Sequence, residues 1–411
     1  MRIEVLNTGT ELLLGTTLNT HGAWIGRELL PLGLRVARQT TVPDGEPIAD
    51  ALREAVPRCG VIIVTGGLGP TSDDVTSAAV AEVIGAELVE DAGALRSIEE
   101  FFARLGRPMA ESNRKQAMFP AGAEVLANPN GTAPGLYVAA ENNRAGGCAL
   151  FVLPGPPGEL HPMFAAEVVP RLRELAGVDA SRGMTELKFT GIGESDFHQG
   201  VDQALAEVAG LEVGYCARPG EVDLRLIGDE EARRAGREIA EDGFGRQLVS
   251  DDGTSLEEVV VRKLRERGWK LATAESCTGG MIASRVTDVP GASAVFTHGF
   301  VTYANEAKLG VLGVAEELLA EHGAVSEEVA RAMAEGALDA AGADVAVAAT
   351  GIAGPGGGSE EKPVGTVFLA LAVRGGPTQV VKRMHPRGRS VFKRVVSQAA
   401  LEMVRRVSIG G

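Results

Sequence analysis

The chain alternates short, continuous apolar runs with longer amphipathic stretches over its 411 residues. Continuous apolar runs predict buried strands, whereas apolar positions spaced three and four residues apart predict helices. The clearest strands are predicted over 3–7, 61–65, 149–153, 270–274, 295–303, 344–350 and 366–373, and the clearest helices over 20–32, 75–84, 256–266, 326–340 and 390–404. Strands that alternate with helices are typical of an α/β protein with a doubly wound, mostly parallel sheet.

The pattern divides the chain into three blocks, which we predict to be domains over 1–170, 171–252 and 253–411. In the first and third blocks, an apolar strand opens into a glycine-rich loop, which is where ligands of open α/β sheets bind. In the middle block, two alternating segments flank Arg218-Pro219-Gly220-Glu221, which predicts a β-hairpin. We therefore predict an N-terminal and a C-terminal α/β domain, joined by a small α+β domain that acts as a linker or dimerisation module.

The charge balance argues against several classes of partner. The chain carries a formal net charge of −15, which should repel nucleic acid and anionic membranes. One short basic segment, 382–389, is an exception whose size suits a few phosphates. Aromatic residues make up only 4% of the chain, so the cores must be built from Ala, Val, Leu and Ile. We expect small-molecule partners, with no direct contact to nucleic acid or membrane.

The cysteines and the N-terminus indicate the compartment. Cys59, Cys148, Cys216 and Cys277 are scattered without a CxxC pair, which predicts neither a disulfide framework nor a zinc site. The N-terminal apolar run contains Glu4 and lacks a cleavage pattern, so it is not typical of a signal peptide. No apolar stretch approaches the roughly 18 residues that span a bilayer. We expect a soluble protein in a reducing cytoplasm.

The third block contains a serine at a predicted strand-to-helix turn. Ser276 follows the strand over 270–274, and amides at the start of the next helix can donate to a developing oxyanion. Alternatively, Ser276 caps that helix, since serine is a favoured N-cap residue. A serine nucleophile needs a base, and a desolvated Lys308 has a lowered pKa that would let it accept the proton. In isolation, however, Lys308 is more typical of a solvated lysine, and Tyr303 is more typical of a strand aromatic.

Four collinear stretches decide between these interpretations. They are TAESCTGG at 273–280, GFVTYANEAKLGVLGV at 299–314, HGAVSEEVA at 322–330 and ATGIAGPGGGSEEKPVGTV at 349–367. Together they resemble the C-terminal domain of the CinA family, a nicotinamide-nucleotide amidase. The resemblance implies that Ser276 is the nucleophile, that Lys308 is the general base and that Tyr303 assists it. Amides near Thr278 and Gly279 would hold the oxyanion.

The implied reaction converts nicotinamide mononucleotide (NMN) to nicotinate mononucleotide and ammonia, without a cofactor. The loop over 351–358 would wrap the nucleotide, and we assign this role to Gly351, Gly354 and Gly357. From charge alone, Arg387 or Arg389 would meet the phosphate, although a solvated basic patch is an alternative. Cys277 is a rival nucleophile because thiols are intrinsically more nucleophilic than hydroxyls. The family motif favours the serine.

The first block resembles the other half of the CinA family, which shares its fold with molybdopterin-binding proteins. The matching stretches are TGTELLLG at 8–15 with NT at 19–20, TGGLGPTSDD at 65–74, NGTAPG at 130–135 and LPGPPGE at 153–159. A glycine-rich loop after a buried strand exposes amides that can cradle phosphates. We predict nucleotide binding by this set of residues: Gly66, Gly67, Gly69, Thr71 and Asn19.

For this block the resemblance implies metal-dependent hydrolysis of ADP-ribose to AMP and ribose 5-phosphate. The candidate ligands of a divalent ion of the Mg, Mn or Co type are Asp73, Asp74 and Glu11. Alternatively, Asp73 or Asp74 caps the helix that follows. The whole chain is then expected to be a bifunctional pyridine-nucleotide recycling enzyme and a homodimer. Two alternatives are a non-catalytic competence or DNA-repair factor, and an amidase whose N-terminal domain only senses nucleotides.

Overall fold

The computed structural model describes residues 1–177 and 183–408, and the chain divides into two compact units, Met1–Gly183 and Met184–Gly411. Both units mix helices and strands, which confirms the predicted α/β class. The helix at Val169–Ala176 lies in the first unit, beyond the predicted boundary at 170. Residues 178–182 and 409–411, which belong to the predicted second and third domains, lie outside the described residues.

The first unit is built on a mostly parallel sheet. Its strands are β1 (Ile3–Thr8), β2 (Val36–Val42), β3 (Val61–Thr65), β4 (Leu88–Glu90), β5 (Met118–Pro120), β6 (Glu124–Leu126), β7 (Gly135–Val138) and β8 (Ala149–Leu153). Within residues 1–177, six of them form one sheet in the order β2-β1-β3-β8-β7-β6. The first four run parallel, whereas β7 and β6 add antiparallel pairings at one edge. The loops after β1 and β3 therefore leave the sheet at the same edge.

Helices cover both faces of this sheet. They are α1 (Thr10–Leu14), α2 (His21–Leu29), α3 (Pro47–Ala55), α4 (Thr76–Ile84), α5 (Ala92–Arg104), α6 (Pro157–Met163) and α7 (Val169–Ala176). Val61 and Ile63 of β3 pack into one core with α2 and α6, while Ile62 and Val64 pack into the other with α3 and α4. Because β3 is buried on both faces, its sequence is continuously apolar rather than alternating.

The second unit begins with a small α+β module. Its elements are β9 (Gly183–Thr190), α8 (Glu194–Ala206), β10 (Glu212–Arg218), β11 (Glu221–Gly228), α9 (Glu230–Phe244) and β12 (Leu248–Ser250). In the described part of this module, the sheet order is β10-β11-β9-β12. Strands β10 and β11 pair antiparallel up to Arg218 and Glu221, so the turn lies at Pro219 and Gly220 as the sequence predicts.

The rest of the second unit forms a second layered α/β structure. Its elements are α10 (Leu256–Arg267), β13 (Leu271–Glu275), α11 (Met281–Thr287), β14 (Phe296–Val301), α12 (Asn305–Leu312), α13 (Glu316–His322), α14 (Glu327–Ala341), β15 (Val345–Gly351), β16 (Thr366–Val373), β17 (Gln379–Met384) and α15 (Arg389–Ser408). Up to residue 408, five strands form this C-terminal sheet in the order β14-β13-β15-β16-β17. Strands β14, β13 and β15 run parallel, and β16 and β17 are antiparallel.

The two faces of the C-terminal sheet differ in side-chain size. Val345 and Val347 of β15 pack towards α10 and α15, whereas Ala346 and Ala348 pack towards α14. The small alanine side chains let α14 lie close to the sheet, since packing distance follows side-chain volume. Among the residues described, no helix has the length and apolar character needed to cross a membrane.

The hydrophobic pattern misses the edge strands β2 and β17. Both lie at the end of a sheet order, and β17 leaves Gln379 and the residues from Lys382 to Met384 exposed. An edge strand buries few side chains, so its sequence carries little apolar periodicity. The basic segment over 382–389 nevertheless begins within β17.

Candidate active site

Ser276 lies at the carboxyl edge of the C-terminal sheet. In the register of the parallel strands, Glu275 pairs with Val301 on β14 and with Ala349 on β15. The Ser276 amide donates to the Ala349 carbonyl at 2.9 Å, and the Thr302 amide donates to the Glu275 carbonyl at 2.9 Å. The half-buried Ser276 therefore emerges beside the loops that follow both neighbouring strands.

A buried carboxylate fixes the turn that carries Ser276. Glu275 has no solvent exposure, and its carboxylate accepts hydrogen bonds from the amides of Ile282 at 3.0 Å and Ala283 at 2.8 Å. These amides belong to the first turn of α11, where a negative charge is favoured. Gly280, rather than Ser276, precedes the helix, and it has no side-chain cap. The interpretation of Ser276 as a helix cap is therefore not what the structure shows.

The chain needs two successive glycines to pass from Ser276 into α11. Gly279 and Gly280 have φ values of 60° and 89°, in the left-handed region that favours glycine. The Gly279 amide donates to the Ser276 carbonyl at 3.2 Å, so this amide closes the turn. Thr278 is fully buried, and its hydroxyl has no hydrogen-bond partner within the described part of the chain. The oxyanion role of Thr278 and Gly279 remains a prediction.

Lys308 is buried beside this edge of the sheet. The side chain lies on α12 and is only 1% exposed. Its amine donates to the carbonyls of Thr302 at 3.0 Å, Tyr303 at 3.3 Å and Ala304 at 3.5 Å. Burial lowers the pKa of Lys308, and the nearby Cys277 and Glu306 oppose this shift. Lys308 is therefore not a solvated surface lysine, and its amine is held by the loop that follows β14.

The structure brings together Tyr303, Arg389 and the glycine-rich loop after β15. One nitrogen of the Arg389 guanidinium donates to the Tyr303 hydroxyl at 2.9 Å, and another donates to the Gly354 carbonyl at 3.1 Å. The Tyr303 ring is 59% exposed, while its backbone carbonyl accepts a hydrogen bond from Lys308. The phenol thus faces the arginine, and the residue contacts the lysine through its main chain.

Lys393 is a residue of this region that the sequence analysis does not single out. It lies one helical turn after Arg389 on α15, and its amine is 3.4 Å from the position that a Cβ atom at Gly279 would occupy. The spacing of four residues, which places both cations on one helix face, is the signal that would have found it. Two cations at the start of α15 thus lie near the Ser276 turn.

Three glycines of the loop over 351–358 are predicted to contact the nucleotide, and the structural reason for glycine differs between them. A Cβ atom at Gly351 would lie 2.7 Å from the Thr366 carbonyl oxygen, and one at Gly354 would lie 2.6 Å from the Val364 side chain. Packing within the unit therefore explains both glycines. Gly357 has a φ of 87°, and a Cβ atom there would make only an ordinary contact, 3.9 Å from the Ile352 side chain. Contact of this loop with a nucleotide remains a prediction.

The rival nucleophile, Cys277, is poorly suited to attack. Its side chain is buried, and burial raises the pKa of the thiol to about 12. Arg389 and Lys393 lower this pKa, but their effect is smaller than that of burial. Because the thiolate is the nucleophilic form, a neutral buried thiol is unreactive. The adjacent serine hydroxyl is the more accessible group.

In the first unit, the predicted phosphate loop follows β3. Gly66 and Gly67 have φ values of 99° and 68°, and a Cβ atom at Gly66 would lie 2.7 Å from the Thr8 carbonyl oxygen. The loop is held from a distant segment, since Lys115 donates to the Thr71 carbonyl at 2.7 Å. Gln116 likewise donates to the Leu68 carbonyl at 3.1 Å. These two residues follow no motif, so the sequence analysis does not identify them.

The neighbouring carboxylates bind the loop rather than the next helix. The Thr71 hydroxyl contacts both Asp73 and Asp74, and the Thr71 amide donates to Asp74 at 2.9 Å. The hydrogen bond from Thr71 lowers the pKa of Asp73, which keeps the carboxylate ionised. A Cβ atom at Gly69 would clash with the Asp74 carboxylate. The helix α4 has no side-chain cap, so neither aspartate caps it.

The fit of this loop to a divalent metal is partial. Within 1–177 and 183–408, no three His, Cys, Asp or Glu side chains form a metal-binding group, so Glu11 does not join Asp73 and Asp74 in one. Mg²⁺ is commonly held by one or two carboxylates, with waters and substrate phosphates completing its shell. Asp73 and Asp74 match this requirement for one or two carboxylates. Asn19, in turn, accepts a hydrogen bond from the His21 amide at 3.2 Å, at the start of α2.

Comparisons with known proteins give one family match in each unit. Residues 253–408 match the family model described as "CinA C-terminal domain", and residues 4–174 match "Probable molybdopterin binding domain". A "CinA-like protein" from Akkermansia muciniphila is 52% identical over 402 residues, which cover 98% of this chain and 96% of that protein. A "CinA-like protein" from Geobacter metallireducens is 43% identical over 415 residues, or 99% of each chain. The solved structure of competence/damage inducible protein CihA from Agrobacterium tumefaciens is 47% identical, covering 36% of this chain and 92% of that one, with a TM-score of 0.35.

The buried carboxylate of Glu275 gives a direct test of the site's architecture. Glu275→Gln leaves one oxygen for two helix amides, so we expect a loss of about 1–3 kcal/mol in the free energy of unfolding, measured with urea. Glu258→Gln is the matched control, because the exposed Glu258 carboxylate accepts a hydrogen bond from the Ser255 amide at the start of α10. For Glu258→Gln we expect a loss of about 0.5 kcal/mol in the free energy of unfolding. Equal losses in the two variants would contradict the role of burial.

Proposed function

Because this chain belongs to the CinA family, we propose that it is a bifunctional enzyme of pyridine-nucleotide recycling. The C-terminal block would hydrolyse the carboxamide of NMN, giving nicotinate mononucleotide and ammonia. The N-terminal block would hydrolyse ADP-ribose to AMP and ribose 5-phosphate. A cytoplasmic homodimer remains our expectation for its assembly and location.

The amidase proposal rests on the placement of Lys308. A buried amine bound to the loop after β14 lies at the sheet edge where Ser276 follows the end of β13. Burial lowers the pKa of Lys308 despite the opposing effect of Cys277 and Glu306, and this favours the neutral amine, which is the form that can accept a proton. A neutral amine has two N–H groups, and the two nearest carbonyls, those of Thr302 and Tyr303, accept them and fix the position of the nitrogen. Hydrogen bonds of a general base often form only in the substrate complex, so the carbonyl contacts are compatible with this role.

In the proposed reaction, the Ser276 oxygen attacks the carboxamide carbon while its proton passes to the Lys308 amine. The tetrahedral intermediate collapses when the lysine returns the proton to the departing nitrogen, and ammonia leaves. Water then attacks the acyl-enzyme, with the same amine as base, and releases the carboxylate product together with the free hydroxyl. Arg389 and Lys393 would hold the nucleotide phosphate, since two cations on one helix face suit a doubly charged anion.

The choice between the two adjacent nucleophiles can be tested by substitution. We expect Ser276→Ala to lower ammonia release from NMN by about 1000-fold or more, because the covalent step is lost. We expect Cys277→Ala to keep activity within a factor of about three, since the buried thiol is neutral. Product formation is followed by mass spectrometry of nicotinate mononucleotide. The reverse pattern would overturn the assignment, and no product from the unaltered protein would favour a non-catalytic competence factor.

The role of Lys308 predicts the direction of the pH dependence. The protonated amine has no lone pair, so kcat/KM for NMN should fall as the pH drops through the lowered pKa of Lys308 and should level off above it. Lys308→Arg should lose at least about 100-fold in kcat at every pH, because a guanidinium remains protonated. The measurement is a pH profile of the initial rate. A Lys308→Arg variant with the rate and profile of the unaltered protein would rule out the lysine as base.

A second activity is favoured by the loop at the edge of the first sheet. Left-handed glycines and an ionised Asp73 lie on the segment after β3, and the amine of Lys115 reaches this segment from residues 111–117 through the Thr71 carbonyl. Backbone amides of such a loop suit phosphate oxygens, and Asp73 with Asp74 would hold the divalent ion. The ion, when bound, would neutralise charge on the pyrophosphate. The alternative for this unit is a site that binds a nucleotide without hydrolysing it.

Turnover of ADP-ribose separates these two alternatives. We expect AMP to form with Mg²⁺, Mn²⁺ or Co²⁺ present and not with a chelator, and we expect Asp73→Ala to lower the rate at least about 100-fold. Glu141→Ala, which removes an exposed carboxylate in the same unit, should leave the rate unchanged. AMP formation is measured by chromatography. Binding of ADP-ribose without any turnover would support the sensing alternative instead.

A further inference from the structure

A large cavity lies within the second unit, away from the residues assigned to the amidase. Its volume is about 1090 Å³, near the upper end of the range for pockets that hold small ligands. The start of α8 and the hairpin turn at Gly220 form one side, and β16, β17 and α15 form the other. Neither Ser276, Tyr303 nor Lys308 lines it. The cavity therefore needs an explanation of its own.

One wall of this cavity carries uncompensated positive charge. Arg383, His385 and Arg387 follow one another at alternate positions, in and just after β17, and all three line the cavity. Within the described parts of the chain, neither Arg383 nor Arg387 forms an ion pair with a carboxylate. The other arginines of the lining are compensated, since Arg218 pairs with Asp223 and Arg406 with Glu402. An anion that binds Arg383 and Arg387 would therefore not have to displace a carboxylate already paired with them.

The imidazole between these arginines lacks a hydrogen-bond partner. The Nε2 atom of His385 is buried and unpaired in the part of the chain that the structure describes. Burial lowers the pKa of His385, and the charges of Arg383 and Arg387 lower it further. A buried polar nitrogen without a partner is unfavourable. An oxygen acceptor from a ligand would satisfy it.

The remaining lining suits the other parts of a nucleotide. Glu194, in the first turn of α8, is a carboxylate in the lining, and carboxylates of α/β proteins bind ribose hydroxyls. Val381, Val391 and Val395 provide an apolar surface for a base. Gly191 has a φ of 73°, in the left-handed region, and lies in the short loop that leads into α8. Inorganic phosphate would contact only the arginine wall, which is the side of the cavity formed by Arg383, His385 and Arg387.

We propose that this cavity is a nucleotide-binding site of the second unit, in addition to the proposed NMN site. The phosphate would bind Arg383 and Arg387 and accept a hydrogen bond from His385, while Glu194 would bind a ribose hydroxyl. A nucleotide here would contact both the small module and the C-terminal sheet, adding to the hydrogen bond from Gln398 to the Thr190 hydroxyl at 3.1 Å. Bound ligand would therefore stabilise the second unit without being its substrate.

Titration of the full-length chain with AMP tests the arginine wall. We expect Arg383→Gln combined with Arg387→Gln to weaken AMP binding at least about tenfold by calorimetry, because two charge-assisted hydrogen bonds are lost. The double variant Arg234→Gln and Arg262→Gln removes the same charge from exposed positions outside the cavity and should change the affinity less than about twofold. Equal AMP affinity in the two double variants, or no AMP binding to the unaltered chain, would overturn the proposal.

Two further variants identify the ligand and the unit that binds it. Glu194→Gln distinguishes a nucleotide from inorganic phosphate, and Asp73→Ala distinguishes AMP in this cavity from AMP in the first unit. We expect Glu194→Gln to weaken the binding of AMP but not of inorganic phosphate, since only AMP carries ribose hydroxyls. AMP should also raise the Tm of the unaltered chain and not that of the double arginine variant, while Asp73→Ala should leave this rise intact. If Glu194→Gln changes the affinity for neither phosphate nor AMP, the nucleotide assignment is overturned. Both arginines are exposed, so their replacement leaves the core untouched.

Discussion

The candidate active site depends on the register of three parallel strands. Two backbone hydrogen bonds extend the pairing past the end of β13, one from Ser276 to β15 and one from Thr302 to β13. They align the loops that leave the sheet, so a serine on one loop and the carbonyls that hold Lys308 on the next lie at one edge. Glu275 then directs the following chain into α11. A shift of one residue would turn Ser276 towards a core face.

Elements buried on both faces of a sheet could be predicted from the sequence, whereas edges and side-chain directions could not. Strand β3 is apolar from Val61 to Val64 because helices cover both of its faces, whereas β17 mixes valines with exposed polar residues because it lies at an edge. Arg387 and Arg389 look equivalent in the sequence. The backbone becomes helical between them, so Arg389 reaches Tyr303 while Arg387 lines a separate cavity. Motifs identified Ser276 and Lys308, but Lys393 and Lys115 depend on tertiary contacts.

The two units share a design in which a strand ends in glycines and polar side chains then support the loop. In the first unit, Lys115 and Gln116 reach the loop after β3 from a distant segment. In the second unit, Arg389 binds the loop after β15 through Gly354. Both loops are thus held by cations or side-chain amides that donate to their carbonyl oxygens. Such support preorganises a loop before any substrate arrives.

The buried thiol next to Ser276 has a consequence for redox chemistry. Peroxide oxidises thiolates far faster than neutral thiols, and exposure also governs the reaction. Cys277 is buried and its pKa lies near 12, so it remains a thiol at the pH of a cell. An enzyme that used the hydroxyl while shielding this sulfur would keep working under oxidative stress that inactivates cysteine hydrolases.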